Sequence, residues 1–187
     1  MKNLICISAP SGAGKTTLCK VVRKIKPEFL WSVSYTTREP RKHEVNGEDY
    51  NFIKQKDFGA LIDNGDLAEW ENVHGNYYGT PKKELGNAIL NQKIVLLELD
   101  VNGTSSIQKL YPKNSYSIFI VPPSIDILRS RLKMRGSETE ETIKKRLERF
   151  KKEMDYKDRF DTLLINDNID VAKNDFLIKI NEVMKGV

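Results

Sequence analysis

"APSGAGKTT", residues 9–17, is the stretch on which the fold turns. It follows the pattern G-x-x-x-x-G-K-[ST], whose glycines let backbone close around phosphate oxygens, except that Ala9 stands at the first glycine position. Its flanks supply the context that pattern needs. "NLICIS" (3–8) is a short apolar run of the kind that forms a buried parallel strand. "KTTLCKVVRKI" (15–25) has helical spacing at Leu18, Val21, Val22 and Ile25. In a strand–loop–helix unit, the free N–H groups and the dipole of the helix start converge on an anion.

The residues of the stretch divide the work. Gly12 and Gly14 occupy its tight part, where positive φ and close backbone approach are required. Alanine at position 9 is tolerated if its φ is negative and a methyl group has room. The expected nucleoside triphosphate contacts are Ala9, Pro10, Ser11, Gly12, Ala13, Gly14, Lys15, Thr16 and Thr17. Lys15 reaches the β- and γ-phosphates, and the Thr16 hydroxyl ligates Mg2+. The loop alone names a bound triphosphate and no acceptor.

The rest of the chain sets bounds. Its 187 residues suffice for one domain with a real core. Hydrophobic residues make up 39% and charged residues 30%, which suits a globular protein rather than a disordered or membrane-embedded one. The longest apolar runs, such as "IVLLEL", are too short to span a bilayer. "MKNLICISAP" runs straight into the phosphate motif, so no targeting segment is read and the cytoplasm is the expected compartment. A net charge of +5 suits an anionic ligand, but no aromatic-interleaved basic stripe points to nucleic acid. Cys6 and Cys19 read as small core residues. His43 and His74 are isolated and make no metal site, and Trp31 and Trp70 read as packing residues.

Strands and helices alternate through most of the chain. "KIVLLELD" (93–100), "SYSIFIV" (115–121) and "TLLIN" (162–166) read as strands, with helices at 102–110, 124–135, 139–155 and 170–184. This alternation predicts an α/β fold with a parallel sheet flanked by helices. Pro122 and Pro123 end one strand, Ser124 caps the helix that follows, and Gly136 ends it. Ser137 and Glu140 then form a capping-box pattern. Residues 34–80 break the rhythm and read as an inserted, partly antiparallel lobe.

That lobe carries the acceptor chemistry. "SVSYTTREPR" (32–41) supplies Arg38 and Arg41, "GEDYNF" (47–52) supplies Tyr50, and "GNYYGT" (75–80) supplies Tyr78. Arginine forks and phenol hydroxyls together suit a dianionic monophosphate. These segments, with "SAPSGAGKTTL", "RLKMRG" and "LLIND" (163–167), resemble the guanylate kinase signatures in order and spacing. The resemblance implies a P-loop NTPase-type fold with an inserted mixed α/β nucleoside-monophosphate lobe and a helical lid. It implies a core at 1–33, 81–125 and 151–187, a GMP-binding lobe at 34–80 and a lid at 126–150. It implies transfer of the γ-phosphoryl group of ATP to GMP, and by the same base contacts to dGMP. Two positions depart from the usual pattern: Ala9, and Glu98 where many members have aspartate.

Carried over residue by residue, the GMP contacts are Ser34, Arg38, Arg41, Tyr50, Glu69, Tyr78, Thr80, Glu98 and Asp100. Independent chemistry agrees with the type of residue. Guanine offers two donors, N1–H and the exocyclic amine, beside one acceptor, O6. Carboxylates (Glu69, Asp100) suit the donors and hydroxyls (Thr80, Ser34) suit O6, while adenine would leave a carboxylate unpaired. Asp100 is also an expected Mg2+ ligand through water, with the division between Glu98 and Asp100 left open.

The lid is read from "ILRSRLKMRG" and the helix after it. Ile125, Leu128 and Leu132 form one apolar stripe, and Ile143, Leu147 and Phe150 another. Arg131 and Arg135 share a helix face. The resemblance gives Arg135 and Arg146, with Lys15, the catalytic contacts to the transferred phosphoryl group, and puts Arg131 at the ATP site. Arg129 and Arg149 read as salt-bridged surface residues. Two alternatives stand beside phosphotransfer to GMP. One is a non-catalytic scaffold module that binds phosphopeptides. The other is a kinase for AMP, dTMP or shikimate.

Overall fold

The computed structural model describes residues 2–10, 12–73, 75–134 and 139–185. Strands β1 (Leu4–Ser8), β2 (Leu30–Trp31), β7 (Val95–Glu98), β8 (Ser115–Val121) and β9 (Thr162–Ile165) form a parallel sheet of order β2-β7-β1-β8-β9. Helices α1 (Lys15–Ile25), α3 (Lys82–Leu90), α4 (Val101–Leu110) and α7 (Ile169–Lys185) cover it. The central strand β1 is buried on both sides, as its unbroken apolar run requires. Ile5 and Ile7 pack with Leu18 and Val22 of α1 and with Phe176 and Ile180 of α7. Leu4 and Cys6 point the other way, to Leu85 and Ala88 of α3 and Ile107 of α4.

A second sheet of order β4-β3-β6-β5 comes from β3 (Tyr35–Thr36), β4 (Asn51–Phe52), β5 (Leu67–Val73) and β6 (Asn76–Pro81). β6 pairs antiparallel with both β5 and β3, and β3 pairs parallel with β4, so the segment is the partly antiparallel insertion expected. Helix α2 (Gln55–Asp63) sets Phe58 against the sheet, 5.4 Å from the ring of Tyr77. α5 (Ile125–Met134) and α6 (Glu140–Met154) pair through Leu128, Leu132 and Ile143.

Several expectations shift. The buried stripe of α1 is Leu18, Cys19 and Val22, while Ile25 is 46% exposed at the helix end. β7 stops at Glu98, which leaves Asp100 to cap α4 by accepting from Gly103 N at 2.8 Å. Ser124 does cap α5, accepting from Ile127 N at 3.2 Å. The cap of α6 falls on Thr139, which accepts from Thr142 N at 3.2 Å, whereas Gly136 and Ser137 lie outside the described residues. Trp31 packs on the core, and Trp70, though 43% exposed, packs on Tyr77 with ring centres 5.8 Å apart. Helices α2 and α3 are additions to the expectation: each is nine residues long, carries one i, i+3, i+4 apolar set (Phe58, Leu61 and Ile62; Leu85, Ala88 and Ile89) and holds a glycine. Both cysteines are free and buried, and burial raises their thiol pKa values. Among the described residues no helix is long and apolar enough to cross a membrane.

Candidate active site

The phosphate loop leaves the carboxyl end of β1, where strand-end peptide groups have no ladder partner. Gly12 and Gly14 have φ of +92° and +91°, a region closed to most side chains. Space closes it further. A Cβ on Gly12 would lie 2.9 Å from Leu128 Cδ1, and one on Gly14 would collide with the Asn166 side-chain amide. Ala9 is outside the positive-φ region and packs, partly buried, on the core, so the missing glycine costs nothing. Ala13 N donates to the Pro10 carbonyl at 3.0 Å and closes the turn. Lys15 sits at the first turn of α1, and its Nζ donates to the Leu99 carbonyl at 3.1 Å, bridging the loop to the end of β7. Thr16 and Thr17 are exposed beside it, and Ser11 lies outside the described residues.

The insertion and the end of β7 bring part of the predicted acceptor set around a cavity of about 210 Å³, whose lining does not include Arg38, Arg41 or Thr80. Lys15, Ser34, Tyr50, Glu69, Tyr78 and Asp100 line it, with Glu98 at its edge toward α1. Arg38 is held from every side. Its Nε donates to the Tyr78 hydroxyl at 3.2 Å, Nη1 to the Glu39 carbonyl at 2.7 Å, and Nη2 to Glu44 Oε1 at 2.9 Å. The guanidinium also lies 5.5 Å from the centre of the Tyr50 ring. Arg41, 77% exposed at its side chain, is tethered less tightly, with Nη1 3.7 Å from Glu44. Glu44 Oε2 accepts from the Arg41 backbone N–H at 2.8 Å. Sequence reasoning passed over Glu44, a lone acidic residue among many.

The carboxylates differ in setting. Burial pushes the Glu69 carboxyl up to about 7; nearby Asp100 and Glu71 add to this, and a hydrogen bond from Thr80 opposes it. The Thr80 hydroxyl, fully buried, donates to Glu69 Oε1. Glu98 is raised by burial and pulled back by Lys15, Lys20 and Arg23, so it belongs with the cations spread along α1. Asp100 belongs with Glu69 and Glu71. Burial, with the charge of Glu98, raises the Tyr50 phenol to about 12, which keeps it a donor.

A larger cavity of about 620 Å³ is lined by Gly12, Gly14, Lys15, Thr16, Arg41, Tyr78 and Asp100, and on its far wall by Arg146 and Arg149 of α6. Arg149 Nε donates to Glu153 Oε1 at 2.6 Å, and Arg129 lies 3.7 Å from Glu140, the ion pairs expected for both. Arg131 is not among the residues lining this cavity, and its Nη1 and Nη2 donate to the Asn166 and Asp167 carbonyls at 2.9 and 2.8 Å. Arg135 lies outside the described residues. Asn166, which donates to the Ala13 carbonyl, is a second residue that sequence reasoning did not single out.

A phosphate-loop lysine that lines one cavity with Tyr50, Tyr78, Glu69 and Asp100 and another with Arg41 and Arg146 is what a P-loop kinase of the nucleoside monophosphate class requires. The family model for guanylate kinase matches residues 1–184. A guanylate kinase of Carboxydothermus hydrogenoformans is 44% identical over 172 residues, covering 92% of this chain and 84% of that protein. One of Chlorobium luteolum is 41% identical over 181 residues, covering 97% and 92%. The crystal structure of guanylate kinase from Anaplasma phagocytophilum superposes with a TM-score of 0.78 at 27% identity, covering 97% of this chain and 85% of that one. The chain belongs to the guanylate kinase family.

Proposed function

We propose that the chain moves the γ-phosphoryl group of ATP to GMP with the residues gathered above, in the cytoplasm. The reading is carried by one observation: Lys15 of the phosphate loop lines the same cavity as Ser34, Tyr50, Glu69 and Asp100. Residues 9–17 hold the ATP phosphates, with Lys15 on the β- and γ-groups. Arg38, Arg41, Tyr50 and Tyr78 hold the GMP phosphate. Glu69 and Asp100 accept from guanine N1–H and the amine, and Ser34 faces O6. Thr80 orients Glu69, supported by the hydrogen bond between them. The core, lobe and lid take the boundaries 1–33 with 81–125 and 151–187, 34–80, and 126–150.

A GMP phosphate oxygen attacks the γ-phosphorus as the bond from that phosphorus to the β–γ bridging oxygen breaks, giving GDP and ADP. The attacking oxygen is already ionised, so alignment replaces a general base. Lys15 and Arg146, with Arg135, offset the negative charge on the group in transfer. The oxygen donors beside the loop suit a hard cation: Thr16 shares one cavity with Glu98 and another with Asp100. Thr16 would hold Mg2+ directly and Glu98 through water. We give Glu98 this role over Asp100 because Asp100 sits with Glu69 and caps α4. The ion supplies charge neutralisation across the phosphates.

The test is to supply ATP and magnesium, add GMP, AMP, dTMP and shikimate in turn, and follow ADP release. GMP is expected to exceed every other acceptor at least a hundredfold in kcat/KM, because a mismatched base leaves a desolvated carboxylate unpaired. Equal turnover with AMP would reject the base assignment. No turnover with any acceptor, beside retained phosphopeptide binding, would favour the scaffold module.

A further inference from the structure

One buried amide joins three parts of the molecule at the phosphate loop. Asn166 follows β9 directly, is 5% exposed, and its own N–H donates to the Val121 carbonyl of β8 at 2.8 Å. Its side-chain Nδ2 donates to the Ala13 carbonyl at 2.6 Å, across 153 residues of sequence. Its backbone carbonyl accepts from Arg131 of α5 at 2.9 Å. Gly14 has no Cβ in the space that this amide fills. Asn166 is not among the residues lining the cavity above the loop, whereas Gly14 is.

We propose that Asn166 is a positioning residue for phosphate binding. A trans peptide is planar, with its C=O and N–H on opposite sides. Drawing the Ala13 carbonyl toward Asn166 therefore turns the Gly14 N–H the other way, toward the cavity where phosphate is held. The amide offers a donor, which the carbonyl needs, and its backbone is pinned by β8 on one side and by Arg131 on the other. Through Arg131 the same amide connects α5 to the loop. This role rests on residues 9–17 being the ATP site.

The test uses Asn166→Asp and Asn166→Ala, with melting curves to confirm folding. Calorimetry reads binding of Mg·ADP, inorganic tripolyphosphate and GMP. Tripolyphosphate has no base, so it reports on the loop alone. Asn166→Asp is isosteric but sets an acceptor against the Ala13 carbonyl. It is expected to weaken ADP and tripolyphosphate at least tenfold and to leave GMP within twofold. Asn166→Ala is expected to weaken them less. A packing role predicts the reverse order, since alanine leaves the larger hole. Unchanged tripolyphosphate affinity, or equal losses for ADP and GMP, would overturn the proposal. Wild-type protein that bound GMP and neither ADP nor tripolyphosphate would instead sink the loop assignment on which it rests. Should the aspartate variant not fold, the same two losses read on the alanine variant decide the matter.

Discussion

At the scale of single residues, charge and its burial decide the chemistry. Glu69 has the more telling setting, its carboxyl raised to about 7 chiefly by burial. In the unliganded protein the protonated form is the more stable, a contribution fully present below about pH 4.5 and lost as pH rises through 7. Guanine reverses the preference, because its two donors need an ionised acceptor. Guanosine affinity should therefore fall as pH drops below 7, approaching tenfold per unit. Guanosine is the right probe because a phosphate monoester titrates at about pH 6 on its own account. Glu69→Gln should flatten that profile and erode selectivity among purines; a profile unchanged from wild type would remove Glu69 from the base site. Lys15→Ala should lower kcat about a thousandfold or more while GMP affinity stays within twofold. Arg41→Met should raise the GMP KM about tenfold, with kcat less affected, since Arg41 is the looser of the two phosphate grips. Of these residues, Lys15 was legible because its motif is local, and Arg38, Arg41 and Tyr50 because they cluster in sequence. Glu44 was not, because its value lies in bridging both arginines.

At the scale of elements, apolar period and pairing partner share the decision. The runs of β1 and β8 are readable because a strand buried on both faces has only one way to look, whereas edge strand β9 buries only Leu164 and is announced by its short apolar run. The two-residue strands β2, β3 and β4 carry no period at all and exist through pairing with β7, β6 and each other. Helix α5 is tied to the phosphate loop more closely than its place in the expected lid suggests. Leu128 and Leu132 are fully buried and meet the bare face of Gly12, while Arg131 bonds to the turn after β9. Leu132→Ala should then cost about 2–5 kcal/mol of unfolding free energy, read as a lower denaturation midpoint. It should also weaken ADP binding, since the loop loses its backing. Loss of stability with ADP affinity intact would show that the packing and the loop are independent.

At the scale of the whole molecule, the proposed function puts ATP at the parallel sheet and GMP at the mixed sheet, and a ligand that binds only the folded chain stabilises it. Saturating GMP and saturating ADP should each raise the melting temperature, by an amount equivalent to about 2.7 kcal/mol at a hundred times Kd. Glu69→Gln should abolish most of the GMP shift and spare the ADP shift; losing both would mean that the two sites are not separate. The amino-acid sequence by itself determined the phosphate loop, the parallel sheet, the interruption at 34–80 and the types of residue a guanine monophosphate needs. Those features rest on local backbone demands and on the period of burial, which neighbouring residues express. Tertiary structure alone decided that Thr80 bonds Glu69, that Glu98 faces the cations of α1, and that Asn166 reaches Ala13. The Thr80–Glu69 and Asn166–Ala13 bonds join residues 11 and 153 positions apart, and only the packing of the two sheets and their helices brings them within bonding distance.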